Sequence, residues 1–135
     1  MSAKPLYGAS TAITVAGLNG LVNGGITDSV EINNTTELAL SKFIEINLVG
    51  LAGETGYVSV SAKEGLATGT LEDNGNVTNL GTVKLNGTVP VRKVLHYDNV
   101  SPFYTLSFKM NSSATNSLAA TGNSVNTLSE NIQDI

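Results

Sequence analysis

The chain has 135 residues, no cysteine and a net charge of -4, with charged residues at 13%. One domain with a real core fits that length, and neither disulfides nor thiolate metal sites can hold it together. Charge is about half the usual share, and the lysines and arginine, such as Lys42, Lys63, Lys84, Arg92 and Lys93, are scattered. This argues against a nucleic-acid partner, whose phosphates need a basic face, and the polar surface has to come from Ser, Thr, Asn and Gly.

Residues 1–25 have no sustained hydrophobic period. Glycines at 8, 17, 20, 24 and 25 interrupt anchors at Leu6, Tyr7, Ile13, Val15, Leu18 and Leu21. This predicts an extended N-terminal arm, then a short turn or helical piece. Such an arm either frays or docks on a neighbouring subunit. From Ile26 the period becomes two: Ile26, Val30 and Ile32 share a face opposite Thr27, Ser29 and Glu31, as in a half-buried strand. Residues 33–36, Asn-Asn-Thr-Thr, read as a turn.

The longest predicted strand places Leu38, Leu40, Ile44, Ile46 and Leu48 on one face. Lys42 falls on that apolar face, so the pattern calls for either a bulge or a lysine snorkelling at a sheet edge. Val58, Val60 and Ala62 alternate with Tyr57, Ser59, Ser61 and Lys63. Residues 64–76 form a loop ending in Glu-Asp-Asn-Gly, where Asn-Gly favours a tight hairpin. Leu80, Val83 and Leu85 mark the next strand, and Asn86-Gly87 another turn. Val89 to Tyr97 is a strand candidate, with Pro90 at its start or on an edge. The clearest alternation is Tyr104, Leu106, Phe108 and Met110 inward, with Thr105, Ser107 and Lys109 outward. After a polar turn at 111–116 come Leu118–Ala120 and a turn at 121–123. The segment holding Val125, Leu128 and Ile132 reads equally as strand or short helix. Seven or eight short strands without a strong helix predict an all-β, two-sheet β-sandwich, preferably a jelly roll, over residues 26–135 behind the 1–25 arm.

Chemistry-bearing groups are sparse. His96 is the only histidine, and with Asp98 it is the best acid/base candidate, but no Gly-x-Ser-x-Gly elbow precedes any serine. Glu72-Asp73 are adjacent acids in a turn, without the spaced ligands of a calcium loop. The residues Gly17-Leu-Asn-Gly20 lack both the dinucleotide spacing and a phosphate-binding Lys-Ser/Thr. Tyr97, Phe103 and Tyr104 cluster around Pro102 as either core or a sticky patch. The expectation is no catalytic residue, no cofactor and no metal. No stretch has the apolar length to span a bilayer, and no signal-peptide core follows Met1, so synthesis in a host cytoplasm is expected.

Two stretches carry a family resemblance. Ser29-Val-Glu-Ile-Asn-Asn-Thr-Thr-Glu-Leu38 resembles the Asn-x-Thr-x-Leu opening of small structural proteins of tailed phages. Asn111-Ser-Ser-Ala-Thr-Asn-Ser-Leu-Ala-Ala-Thr-Gly-Asn123 is similar to the Asn-x-Thr-Gly-x-x-Leu-x-x-Thr-Gly-Asn ending of that group. The order of strands between them also fits, although the aromatic that usually follows Asn123 is missing. The resemblance implies a virion component: a capsid cement or decoration protein bound to the major capsid protein and to itself, or a small tail or fibre part. A trimer, with Lys4, Pro5, Leu6 and Tyr7 of the arm as the contact, is the corresponding expectation. The alternative is a carbohydrate- or receptor-binding module, with Tyr57, Tyr97 and Tyr104 as the candidate aromatics.

Overall fold

The computed structural model describes residues 3–69, 71, 77–113 and 117–134. Their strands are β1 (Ala3–Tyr7), β2 (Thr11–Ile13), β3 (Ile26–Asp28), β4 (Ile32–Asn33), β5 (Ser41–Leu48), β6 (Tyr57–Gly65), β7 (Val77–Lys84), β8 (Val91–Asp98), β9 (Phe103–Asn111) and β10 (Ser124–Asp134). A one-turn helix, α1 (Asn34–Glu37), is the only helix among them. It is not long or apolar enough to cross a membrane.

Two antiparallel sheets form. In the first, β10 lies between β5 and the pair β1 and β2, and β5 passes the sheet on to β8. In the second, β9 lies between β6 and the pair β3 and β4, and β6 passes the sheet on to β7. Because β1 and β2 lie in line along β10, and β3 and β4 along β9, each sheet is four ribbons wide. That ribbon order is the double Greek key of a jelly roll. The expected all-β, two-sheet β-sandwich is what the chain folds into. Its arm is extended, as expected, but belongs to the first sheet: Lys4, Pro5, Leu6 and Tyr7 pair with residues 133 to 130 of β10. No helical piece follows it; turns through Gly17 and Gly20 do.

The core sits between the sheets. Inward residues of β5 (Ile44, Ile46, Leu48), β6 (Val58, Val60, Ala62) and β9 (Tyr104, Leu106, Phe108, Met110) are fully buried, with Leu95, Tyr97, Val83 and Val125 from the flanking strands. Each such large apolar side chain contributes about 1.5–3 kcal/mol. The undecided segment 124–134 is a strand, because both of its edges are taken by partners whose own alternation matches period two.

Four expectations change. The 26–32 strand is broken at Ser29, which turns inward and is buried, accepting the Leu106 N–H on its hydroxyl. That break shifts the phase, leaving Ile26 and Val30 exposed. The turn at 33–36 is the helix α1, capped by the Asn33 side chain, and the following strand begins at Ser41, so Leu38 and Leu40 are exposed instead of facing the core. Lys42 needs neither a bulge nor an edge: β5 is flanked on both sides in unbroken register, and Lys42 is 3% exposed on its inward face. The bulge lies instead in β7, where Leu80 has no partner between Gly81, opposite Val60, and Asn79, opposite Ser61. It explains why Leu80 and Val83 are three residues apart in a period-two strand. Gly81 holds the bulge at φ 141°, and a Cβ there would meet the Leu95 side chain at 3.1 Å.

Candidate functional site

The outward positions of the first sheet form a row across its strands. Phe43 of β5 stands opposite Leu128 of β10 and His96 of β8. The Phe43 and His96 rings meet edge to face at 4.4 Å, and Tyr7 lies 6.0 Å from Phe43 on the other side. Tyr7 and Val94 are about half exposed, at 54% and 48%. A shallow groove of about 350 Å³ runs beside the row, lined by Ser10, Phe43, Glu45, Val94, Asn126 and Leu128, with Thr127. Strand alternation causes this: Ile44, Ile46, Leu95 and Tyr97 take the inward positions, so their neighbours are forced out. Partial desolvation and the Glu130 carboxylate, which accepts a hydrogen bond from it, hold the Tyr7 phenol above its ordinary pKa. The face is thus an apolar and aromatic stripe, with Ser10, Asn126 and Glu45 beside it and Arg92, Asp98 and Glu130 on the same outward positions of the sheet.

The second sheet presents a different outer face. A groove of about 450 Å³ is lined by Ile26, Ser59, Ser61, Lys63, Val77, Ser107 and Lys109. Tyr57, 44% exposed, lies at the end of the same β6 face. Thr105 and Ser107 point outward from β9 as expected, yet both are buried. Lys63 of β6 reaches over β9 to pair with Asp28 of β3 at 2.8 Å, roofing these hydroxyls.

The other sequence candidates resolve as follows. His96 and Asp98 are both exposed on β8, and His96 contacts the Phe43 ring. Tyr97 and Tyr104 are core residues, fully buried and packed edge to face at 5.0 Å, so neither offers a binding platform. Burial, followed by its hydrogen bond to Glu64 at 2.6 Å, pushes the Tyr97 phenol up to about 12. Glu72 and Asp73 lie outside the described residues. Among those described, no three His, Asp or Glu side chains converge as metal ligands.

The buried Glu54 went unnoticed in the sequence because it stands in a Gly-rich loop with no pattern around it. Its side chain is 0% exposed. It accepts hydrogen bonds from Gly56 N–H (2.7 Å), Ser113 N–H (2.8 Å), the Ser113 hydroxyl (2.9 Å) and the Ser112 hydroxyl. Burial alone would raise its pKa; these donors outweigh that and bring it down to about 2. The two blocks that carry the phage resemblance also contain locks. Asn34 clamps Ala39, donating to its carbonyl at 3.0 Å and accepting its N–H at 2.9 Å. Asn123 accepts the Val49 N–H and donates to Asn19 and Ala119, each at 2.9 Å.

No protein-family model matches the chain, and no curated protein matches it in sequence. Among solved structures it is similar to the C-terminal CBM6 of LamC, a marine laminarinase from Zobellia galactanivorans, at 13% identity and a TM-score of 0.44, covering 98% of this chain and 100% of that one.

Proposed function

We propose that this chain is a non-catalytic structural subunit of a bacteriophage particle, a decoration or cement protein that lies on the capsid shell through the outer face of its first sheet. The observation that carries this reading is the Tyr7–Phe43–His96 row, an aromatic stripe held on a four-ribbon sheet. Rigid aromatics placed this way bury area at little entropic cost. Repeated by capsid symmetry, contacts that are weak one at a time hold by avidity. The phage setting is supported by the two resembling blocks, whose asparagines fasten the α1 turn and the loop before β10. Those are devices of architecture, so the likeness concerns how the fold is built.

The test uses purified particles. The protein should be found on them by mass spectrometry, and isolated protein should rebind stripped shells. Phe43→Ser, an outward change, should melt like the parent and rebind about tenfold more weakly. A parent protein that neither accompanies particles nor binds shells would overturn the reading.

A second reading, a carbohydrate- or receptor-binding module, is favoured by Tyr57 beside the hydroxyl-rich groove of the second sheet. Glycan-array binding that Tyr57→Ala abolishes would select it.

A further inference from the structure

We propose that copies of this chain associate head to tail, the acidic end of one sandwich seating on the basic end of the next. The inference is independent of the virion reading.

The two ends of the sandwich differ in sign. At one end, Asp98 of β8 and Glu130 of β10 flank Ser41 in one row. Glu64 is the last residue but one of β6 there, and Glu31 stands just before β4. Of the two lysines on this end's core strands, Lys63 is paired with Asp28 and Lys42 is buried, so neither puts an ammonium on the surface of that end opposite its four carboxylates. At the other end stand Lys84 closing β7, Arg92 and Lys93 opening β8, and Lys109 near the end of β9, all exposed. Among the described residues, the one carboxylate in the loops at that end is Glu54, which is wholly buried.

Each end also presents exposed aliphatic side chains, three of which are prominent at each. On the acidic end they are Leu38, Leu40 and Leu66, at 68%, 52% and 85% exposure. Leu38 and Leu40 border an open groove of about 430 Å³ with Val100 and Pro102. On the basic end they are Val22, Leu51 and Val89, at 61%, 40% and 54%. Leu51 and Val89 are held on hydrogen-bonded turns, Glu54 N–H to Leu51 O at 3.0 Å and Val89 N–H to Asn86 O at 3.0 Å. Leu38 is held in the left-handed region, at φ 55°, by the Asn34 clamp on its neighbour Ala39. A leucine in that conformation, with its side chain turned to water, is a local cost without a local return.

An apolar patch rimmed by carboxylates at one end, and one rimmed by ammonium and guanidinium groups at the other, are complementary to each other and not to themselves. Like ends repel, which excludes a two-fold contact between identical ends. The geometry is therefore heterologous, closing into a ring or running on as a filament according to the rotation between copies. Hydrogen bonds from Thr68 and Gly69 hold the Glu31 carboxyl below the usual range, so that end keeps charge in mild acid.

Sedimentation velocity on the full chain is the test. Association should weaken about tenfold between low and 0.5 M salt. Asp98→Lys with Glu130→Lys should give one variant that stays monomeric alone, and Lys84→Glu with Arg92→Glu another. Mixed one to one, the two should associate again, because each supplies the complement the other lost. Leu38→Asn keeps the left-handed turn at lower cost, so it should melt no lower than the parent yet associate about tenfold more weakly. A parent that is monomeric at millimolar concentration and low salt would overturn the proposal. So would variants that self-associate like the parent, or a mixture that does not recover.

Discussion

At the scale of single residues, burial and hydrogen bonding decide which polar side chains matter. Glu54 is the main case: its carboxylate ties the loop before β6 to the segment after β9 through Gly56, Ser112 and Ser113. Glu54→Gln removes the charge that these donors face and should cost about 1–3 kcal/mol, read as a lower urea midpoint at pH 7. The pH dependence has a definite sign. The folded pKa, about 2, lies below the ordinary value of 4.5. Glu54 therefore stabilises the fold fully above the ordinary value, and that contribution fades as pH falls toward the folded one. Urea titrations at pH 7 and pH 3 should show the parent losing its advantage over Glu54→Gln in acid. An equal gap at both values would contradict the assignment.

At the scale of elements, alternation was legible in the flanked strands β5, β6 and β9, but not in β10, which is flanked as well and whose sequence fitted strand and short helix alike. The inward rows of β5, β6 and β9 follow the period-two pattern residue by residue from Ile44, Val58 and Tyr104 onward. It failed where the ladder breaks. Ser29 turns inward because its hydroxyl reaches the β9 backbone, a long-range partner that no local pattern announces. The close approach of two loops was equally invisible. Gly56 packs so tightly that a Cβ would stand 2.1 Å from the Asn111 carbonyl oxygen and 2.7 Å from Ser113 N. Backbone on both sides leaves nothing flexible to yield, so Gly56→Ala should cost about 2 kcal/mol or more, measured as a loss of melting temperature. Gly53→Ala has open space around its Cβ and should cost less, since only its positive φ is strained.

At the scale of the whole molecule, β1 closes one side of the first sheet by pairing along β10. The arm covers the outer edge of β10, and even-numbered residues face it, as the Gly8 N–H to Ser129 O bond at 2.9 Å shows. Ala3, Pro5 and Tyr7 therefore turn their backbone groups to the open edge, where Pro5 has no N–H to offer. A proline at that position blunts strand addition by other chains. Deleting residues 1–9 should uncover β10 and the side of Phe43, giving a folded β protein by circular dichroism that scatters light on warming well before the parent does. A truncated chain as soluble as the parent would mean the arm is not the edge guard.

The sequence by itself determined the class: alternating apolar residues, turn residues between them and few charges can bury a core only as stacked sheets. It left Tyr97 and Tyr104 open between core and binding aromatics, and the fold buries both. What only the tertiary structure decided was everything set by residues distant in the chain. The fold chose where each ladder breaks, how Glu54 finds its donors, which outward side chains line up as Tyr7, Phe43 and His96, and which end of the sandwich each charge occupies. Periodicity carries the face of a strand but not its neighbours, and surfaces are made by neighbours.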